Sequence, residues 1–395
     1  MASTSFLEIK CKALENNVQF LRNLIGSDVI ISAVIKGNAY GHGVEVAIPA
    51  LEYTGVSHFS VFSSSEAKEA HTVMDVNSTL MIMGFIGDDD LPWIIRNEIE
   101  FFVSDLKTLK ESIDVARKLN KMARIHLDIE TGMHRTGLAL RDLKKAILLI
   151  RENAELLMLQ GLTSHFAGAE SIANHTRIKK QFSTFRKRIK LLHQHGISPA
   201  LHHIASSAAT INYPGTRMDM IRTGILIYGY WPNKETFINY IHRKADKSDP
   251  LQRAIIWRTQ VMITKKVKEG EFIGYGLSFQ AQKEMKIMIL PVGYCNGYSR
   301  SLSNYGHVLI KGQRAAVIGS VNMNMIICDI SHIEKRIQIG DEVVLIGKQG
   351  DMEISFTSFA DMNNSLNYEI LARLPQYIER VCKIEQQEYS TFDTN

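Results

Sequence analysis

The sequence predicts a two-domain α/β chain: an N-terminal (β/α)8 TIM-like barrel followed by a mainly β domain. Three observations carry this reading. The chain has 395 residues, more than one hydrophobic core usually serves. From Val29 to about Tyr230, short β-branched runs alternate with longer amphipathic stretches, as strands separated by helices do. Beyond Tyr230 the helical patterns thin out and strand-like runs dominate.

In order along the chain, the first eight strand candidates are 29–36, 58–62, 79–84, 100–104, 124–129, 160–165, 202–205 and 220–224. Helical patterns such as 106–119 and 140–152 lie between them, with charges opposite an apolar face. Asp105 precedes the first of these, where its carboxylate can cap free helix N–H groups. Eight strands separated by helices predict a closed barrel. A doubly wound open sheet shows the same alternation, and the count of eight favours the barrel. The polar stretch 231–252 reads as a connection. Strand-like runs follow at 259–267, 285–291, 306–310, 315–318 and 342–346, divided by turn signals such as Lys311-Gly312 and Ile339-Gly340-Asp341. The expected domains are therefore 1–240 and 241–395, with the first residues of the chain candidates to join the second. The polar stretch 385–395 reads as frayed.

Composition narrows the function classes. Hydrophobic residues at 45% and charged residues at 22% are ordinary for a globular protein. A net charge of +5 suits an anionic small molecule, but no concentrated basic stripe marks a nucleic-acid binder. Cys11, Cys295, Cys328 and Cys382 are widely spaced, without a CxxC pair. That excludes a dense disulfide framework and fits a reducing compartment. Residues 1–10 lack the basic and apolar regions of a signal peptide. No apolar run approaches the roughly 20 residues needed to cross a bilayer. A cytoplasmic protein with no membrane partner and no metal is expected.

Barrel active sites lie at the C-terminal ends of the strands, and chemistry-bearing residues stand there. Lys36 ends the first strand candidate and precedes a glycine-rich turn; lysines so placed shift their pKa readily and form Schiff bases. Arg222 closes the eighth candidate, which neighbours the first in a closed barrel. Ser207, Gly224 and Ile225 follow strands seven and eight, whose loops commonly bind phosphate. Arg135 and His165 follow strands five and six. In the second domain Tyr275 and Tyr294 lie among glycines. Singly, each is an ordinary strand-end or turn residue; the joint arrangement has weight.

Eight motifs then show a resemblance. They are AVIKGNAYGHG (33–43), ETGMHRTGL (130–138), SHFAGAE (164–170), HHIASSAAT (202–210), IRTGILIYG (221–229), GYGLSF (274–279), LPVGYCNGY (290–298) and NYEILARLP (367–375). In this order and spacing the chain resembles the alanine racemase family, fold type III of the pyridoxal-phosphate enzymes, from about residue 6 to 381. The resemblance implies a pyridoxal 5'-phosphate cofactor held on Lys36 as a Schiff base. Tyr40, Ser207, Gly224 and Ile225 would hold its phosphate and Arg222 would meet its pyridine nitrogen. His165 would stack near the ring and bond to Tyr275 or Arg222. Arg135 would bind the phenolic oxygen or the substrate carboxylate. Tyr275, Tyr294 and Met323 would come from the partner subunit of a head-to-tail homodimer, with Asn324 beside the substrate.

Racemisation needs one base on each face of the planar carbanion, and Lys36 and Tyr275 would fill these places. A free tyrosine titrates near about 10, so a phenolate at Tyr275 would need cationic Arg222, acting through His165. Three places depart from the family pattern. Asp128 stands for a carbamylated lysine and would supply negative charge beside Arg135. Asn322-Met323-Asn324 replaces Cys-Met-Asp, and Gln376 replaces a tyrosine at the substrate entrance. The expected reaction is interconversion of L- and D-alanine, supplying D-alanine for peptidoglycan. Serine, lysine or broad-specificity racemisation is the alternative. A non-catalytic pyridoxal-phosphate protein fits less well because the β domain is kept, and a decarboxylase less well because of Arg222.

Overall fold

The computed structural model describes residues 4–242, 244–356, 359 and 367–382. These fall into two compact units. One comprises Ala13–Ala39 and Ala47–Gln252; the other comprises the described residues of Met1–Lys12, Tyr40–Val46 and Arg253–Asn395.

The chain opens with β1 (Ser5–Ile9), which belongs to the second unit. The barrel strands follow: β2 (Ile30–Val34), β3 (His58–Val61), β4 (Thr79–Ile82), β5 (Glu100–Val103), β6 (Ala123–Asp128), β7 (Leu157–Thr163), β8 (Leu201–His203) and β9 (Met220–Thr223). All pair in parallel, in the order β8-β7-β6-β5-β4-β3-β2-β9. A bridge between Ser206 and Arg222, with Arg222 N–H donating to Ala205 O at 2.9 Å, joins the two ends. An open doubly wound sheet would leave both edges unpaired, so closure settles the fold as a barrel. The helix Leu106–Leu119 buries Leu109, Ile113 and Ala116, and Asp105 caps it by accepting from Thr108 N–H at 2.8 Å.

Side chains alternate across a strand, and the barrel strands sort them accordingly. Ile31, Ala33, Phe59 and Val61 form part of the apolar core, whereas Ser32, His58, Ser60, Glu100, His126, His203 and Arg222 are buried and polar. Within β3, His58 and Ser60 share one face and Phe59 and Val61 the other.

In the second unit the sheet order is β11-β12-β15-β14-β13-β16-β10-β1-β18, with β17 paired to β16. Its strands are β10 (Ile255–Gln260), β11 (Ile263–Val267), β12 (Met285–Leu290), β13 (His307–Ile310), β14 (Gln313–Val317), β15 (Ile326–Asp329), β16 (Glu342–Gln349), β17 (Met352–Ile354) and β18 (Glu379–Cys382). Cys11 and Cys382 form a disulfide spanning 371 residues of sequence. They meet because β1 and β18 are parallel neighbours, with Ile9 opposite Cys382. No helix of the described residues is long and apolar enough to cross a membrane.

Two expectations need correction. The stretch 231–252 is not simply irregular, because it contains the helix Lys234–His242. Trp231 packs on Phe237 and Tyr240 at 5.2 Å each, and these aromatic anchors outweigh the polar composition. The run 259–267 is not one strand. It divides at Val261-Met262 because β10 pairs with β1 and β16 while β11 pairs with β12. The stretch 385–395 lies outside the described residues.

Candidate active site

Lys36 follows β2 and opens a turn whose backbone is left-handed at Gly37 (φ 63°), Asn38 (φ 52°) and Ala39 (φ 53°). Each non-glycine residue in that region costs about 1–2 kcal/mol, so the surroundings must hold it. They do so through Ala39 N–H donating to Ile35 O at 2.7 Å and Gly37 N–H donating to Glu66 Oε1 at 2.8 Å. The Lys36 side chain reaches solvent. Desolvation by the surrounding barrel mouth, followed by the Arg135 charge, still lowers its pKa, with Glu66 opposing.

Arg222 lies on β9, adjacent to β2, and is buried. Its Nη1 donates to Thr163 Oγ1 at 2.8 Å, to His203 O at 3.1 Å and to His203 Nδ1, and its Nη2 donates to Ser164 O at 2.8 Å. No acceptor for its Nε–H is found among the described residues. Burial pulls its pKa down to about 10, with Asp128 opposing, so it remains cationic at neutral pH.

His165 follows β7. Burial, then the charges of Arg222, Arg135 and Lys36, bring its pKa down to about 3. Of its two expected partners, Tyr275 or Arg222, its ring does not bond to Arg222, whose Nη1 and Nη2 are directed at Thr163, His203 and Ser164. Ser207 Oγ accepts from Gly224 N–H at 3.2 Å and shares a hydrogen bond with Thr223 Oγ1 at 3.0 Å. Ile225 is 1% exposed, and its N–H has no acceptor among the described residues. A buried N–H beside a serine hydroxyl and a glycine suits an anionic oxygen.

Glu130 organises the next loop by accepting from Gly132, Met133 and His134 N–H groups. Arg135, in the same loop, lines a small cavity with Asp128, Thr136 and His165. Asp128 accepts from Thr136 Oγ1 at 2.7 Å rather than pairing with Arg135. Burial raises its pKa against that hydrogen bond and the Arg222 and Arg135 charges. Asp128 thus lines the same cavity as Arg135 without pairing with it.

The remaining sequence candidates lie in the β-rich unit. Tyr275 stands between Gly274 (φ 75°) and Gly276 (φ 76°) and is 76% exposed. Its carbonyl accepts from Ser320 Oγ at 3.2 Å. Tyr294 N–H donates to Asn322 O at 3.0 Å, and Cys295 N–H to Met323 O at 3.0 Å. This backbone approach requires Gly293, where an added Cβ would lie 2.2 Å from Asn322 O. Asn324 Nδ2 donates to Cys295 Sγ at 2.9 Å. Tyr40 belongs to this unit as well, and burial pushes its pKa up to about 12. The resemblance places Gln376 near an entrance tyrosine; the side chain that reaches Cys295 is the next one, Tyr377, whose hydroxyl donates to Cys295 O at 2.7 Å. Only the location of Tyr377 next to Gln376 hinted at it.

Thus Lys36, Arg135, His165, Ser207, Arg222, Gly224 and Ile225 all follow or close strands at one end of the barrel, and Tyr275, Tyr294, Met323 and Asn324 cluster on loops of the other unit. Sequence reasoning missed Glu66, and it missed His126 and His203 beneath Arg222. Burial lowers the pKa of His126, His203 and His165. Below about pH 6.5 the unfolded chain takes up protons that these folded histidines refuse. Stability is therefore expected to fall as pH drops through that value, each histidine adding a slope of up to about 1.4 kcal/mol per pH unit. Denaturant unfolding of wild type and His203→Gln between pH 7 and 5 checks this, since the variant should lose part of the slope.

Comparison with known proteins agrees with this architecture. Residues 9–232 match the family model described as alanine racemase, N-terminal domain, and residues 254–382 match alanine racemase, C-terminal domain. Alanine racemase 1 of Caldanaerobacter subterraneus subsp. tengcongensis is 34% identical over 375 residues, 95% of this chain and 94% of that one. The crystal structure of alanine racemase from D-cycloserine-producing Streptomyces lavendulae superposes with a TM-score of 0.87 at 27% identity, covering 98% of both chains. That of Bartonella henselae alanine racemase, with covalently bound pyridoxal phosphate, gives 0.81 at 25% identity, covering 97% of this chain and 100% of that one. With both family models spanning most of its length and the barrel closed as the motifs imply, the chain belongs to the alanine racemase family.

Proposed function

We propose that this chain interconverts L- and D-alanine with pyridoxal 5'-phosphate, using Lys36 and Tyr275 as opposed proton carriers. The observation that carries this reading is the convergence of Lys36, buried Arg222 and the unpartnered Ile225 N–H at one barrel end. These groups fit the cofactor's three polar features: Lys36 its aldehyde, Arg222 its ring nitrogen, and Ser207, Gly224 and Ile225 its phosphate. Bound there, the cofactor supplies an electron sink that makes the Cα–H of the amino acid acidic.

The chain's own residues do the rest. Lys36 Nζ, its pKa lowered, has a larger neutral fraction with which to take the Cα proton. Tyr275 Oη serves the opposite face, supplied by a second copy of the chain in a head-to-tail homodimer. Its high exposure, shared with Leu277 and Met323, suits a surface that another copy covers. Arg222 offers donors only and, with a pKa of about 10, retains its protons at neutral pH. His165, neutral throughout the physiological range, stands near the ring. Arg135 binds the substrate carboxylate or the phenolic oxygen, with Tyr294, Met323 and Asn324 shaping the substrate side. The β-rich domain is thus the carrier of the second base.

Substrate breadth is a second reading, supported by Asn324 and Tyr377 converging on Cys295. Steady-state kinetics over a panel of L- and D-amino acids tests both. An alanine preference above about a hundredfold in kcat/KM is expected; comparable values for serine or lysine would make the enzyme broad in specificity, and no turnover of any amino acid would reject racemisation.

A further inference from the structure

Beneath Arg222 the barrel interior holds a connected row of buried polar side chains. Arg222 Nη1 donates to His203 Nδ1. His203 Nε2 lies 2.9 Å from His126 Nδ1, and His126 Nε2 lies 2.7 Å from Glu100 Oε2. His126 and His203 are 0% exposed and Glu100 is 5% exposed. Gly161 on β7 makes the junction possible, since a Cβ there would lie 2.2 Å from His126 Nδ1. Phe102 packs against both imidazoles at 6.0 Å and under the Arg222 guanidinium at 5.8 Å.

The donor chemistry orders this row in one direction only. A guanidinium has donors and no acceptor, so His203 Nδ1 must accept and its proton must sit on Nε2. That proton points at His126 Nδ1, which must also accept, leaving Nε2–H of His126 to donate to Glu100. Glu100 is therefore the acceptor that ends the row. Burial raises the Glu100 pKa, but the hydrogen bonds from His126 and His58 outweigh it and hold the group below the usual carboxylate range. Both histidines are held neutral by burial. Among the described residues Arg222 has no direct ion pair, although a buried charge needs compensation. The Asp128 charge offsets part of it, and Glu100 closes the far end of the row as its acceptor.

We propose that Glu100 is a positioning residue for the barrel-end site: as the acceptor at the far end of a row whose direction Arg222 sets, it holds His126 and His203, and through them the Arg222 guanidinium, in one orientation. This rests on the racemase reading only for its catalytic consequence. Networks of this kind orient the side chain that touches the ligand, so Arg222 would meet the cofactor ring with its remaining donors already aimed.

Neutron diffraction from deuterated wild-type crystals tests the row itself. Deuterons are expected on Nε2 of His126 and His203, with none on either Nδ1 or on Glu100; a deuteron on either Nδ1 overturns the proposal. Glu100→Gln retains an acceptor for His126 and removes the charge, and Gly161→Ala breaks the junction while leaving the charge. In both, kcat for alanine is expected to fall on the order of tenfold, as for other outer hydrogen-bond partners, with KM moving less than about twofold and the visible absorption maximum of the loaded protein displaced. Glu100→Gln with wild-type kcat and spectrum overturns the proposal, whatever Gly161→Ala does. An inactive wild type would instead reject the racemase reading, and the neutron positions would still decide the row.

Discussion

Lys36→Ala is expected to lower racemisation by about 10⁴-fold or more, because one side chain serves both as cofactor anchor and as proton carrier. The left-handed turn after Lys36 is held by backbone bonds to Ile35 and Glu66, none of which involves the lysine amine. The variant should therefore keep the wild-type circular dichroism spectrum and unfolding midpoint while losing the visible absorption of the loaded protein. Added methylamine should restore part of the turnover, since it returns a base of similar strength to the vacated space. A variant that retained more than about a tenth of wild-type kcat/KM would remove Lys36 from the mechanism.

The second large effect is expected for Tyr275→Phe. One hydroxyl is removed from a side chain that is 76% exposed in the isolated chain, so stability should change by no more than about 0.5 kcal/mol. Interconversion should fall by about 10²–10⁴-fold, the usual contribution of a positioned acid or base. The loss must be equal in both directions, because L- and D-alanine have equal free energies. Exchange with solvent should not fall equally. With Lys36 intact, one enantiomer should still exchange its Cα proton in deuterated water without inversion, and the other should not. Equal retention of exchange for both enantiomers would mean that a single base serves both faces and would exclude Tyr275.

Much of this was legible in the sequence for a physical reason. Parallel barrel strands are buried on both faces and short, so runs such as 58–62 and 100–104 stand out against charged amphipathic helices. The strand-end positions of Lys36 and Arg222 followed from that pattern. What escaped notice depends on contacts distant in sequence. Val261-Met262 carries no glycine or proline, so the division between β10 and β11 is visible only in their different partners. The helix Lys234–His242 owes its place to Trp231 and to Phe20, whose ring lies 5.4 Å from Tyr240. Glu100, His126 and His203 look like polar interruptions of three separate strands until closure brings those strands together. Of the two partners expected for His165, Tyr275 or Arg222, the second does not meet it in the barrel because both terminal nitrogens of the guanidinium are bonded to β7, β8 and the residue after β7.

The pairing of β1 has a consequence for synthesis. Ser5–Ile9 is made before the barrel strands, yet its neighbours are Ile255–Gln260 and Glu379–Cys382, which are made after them. The barrel segment can assemble on the growing polypeptide while this strand waits, unpaired, until its partners have been made. Such long-range closure slows folding and leaves a sticky edge available to other nascent chains. Moving residues 4–10 to a position after Cys382, through a crossover linker of about a dozen residues because β1 and β18 are parallel, should shorten that wait and raise the soluble yield.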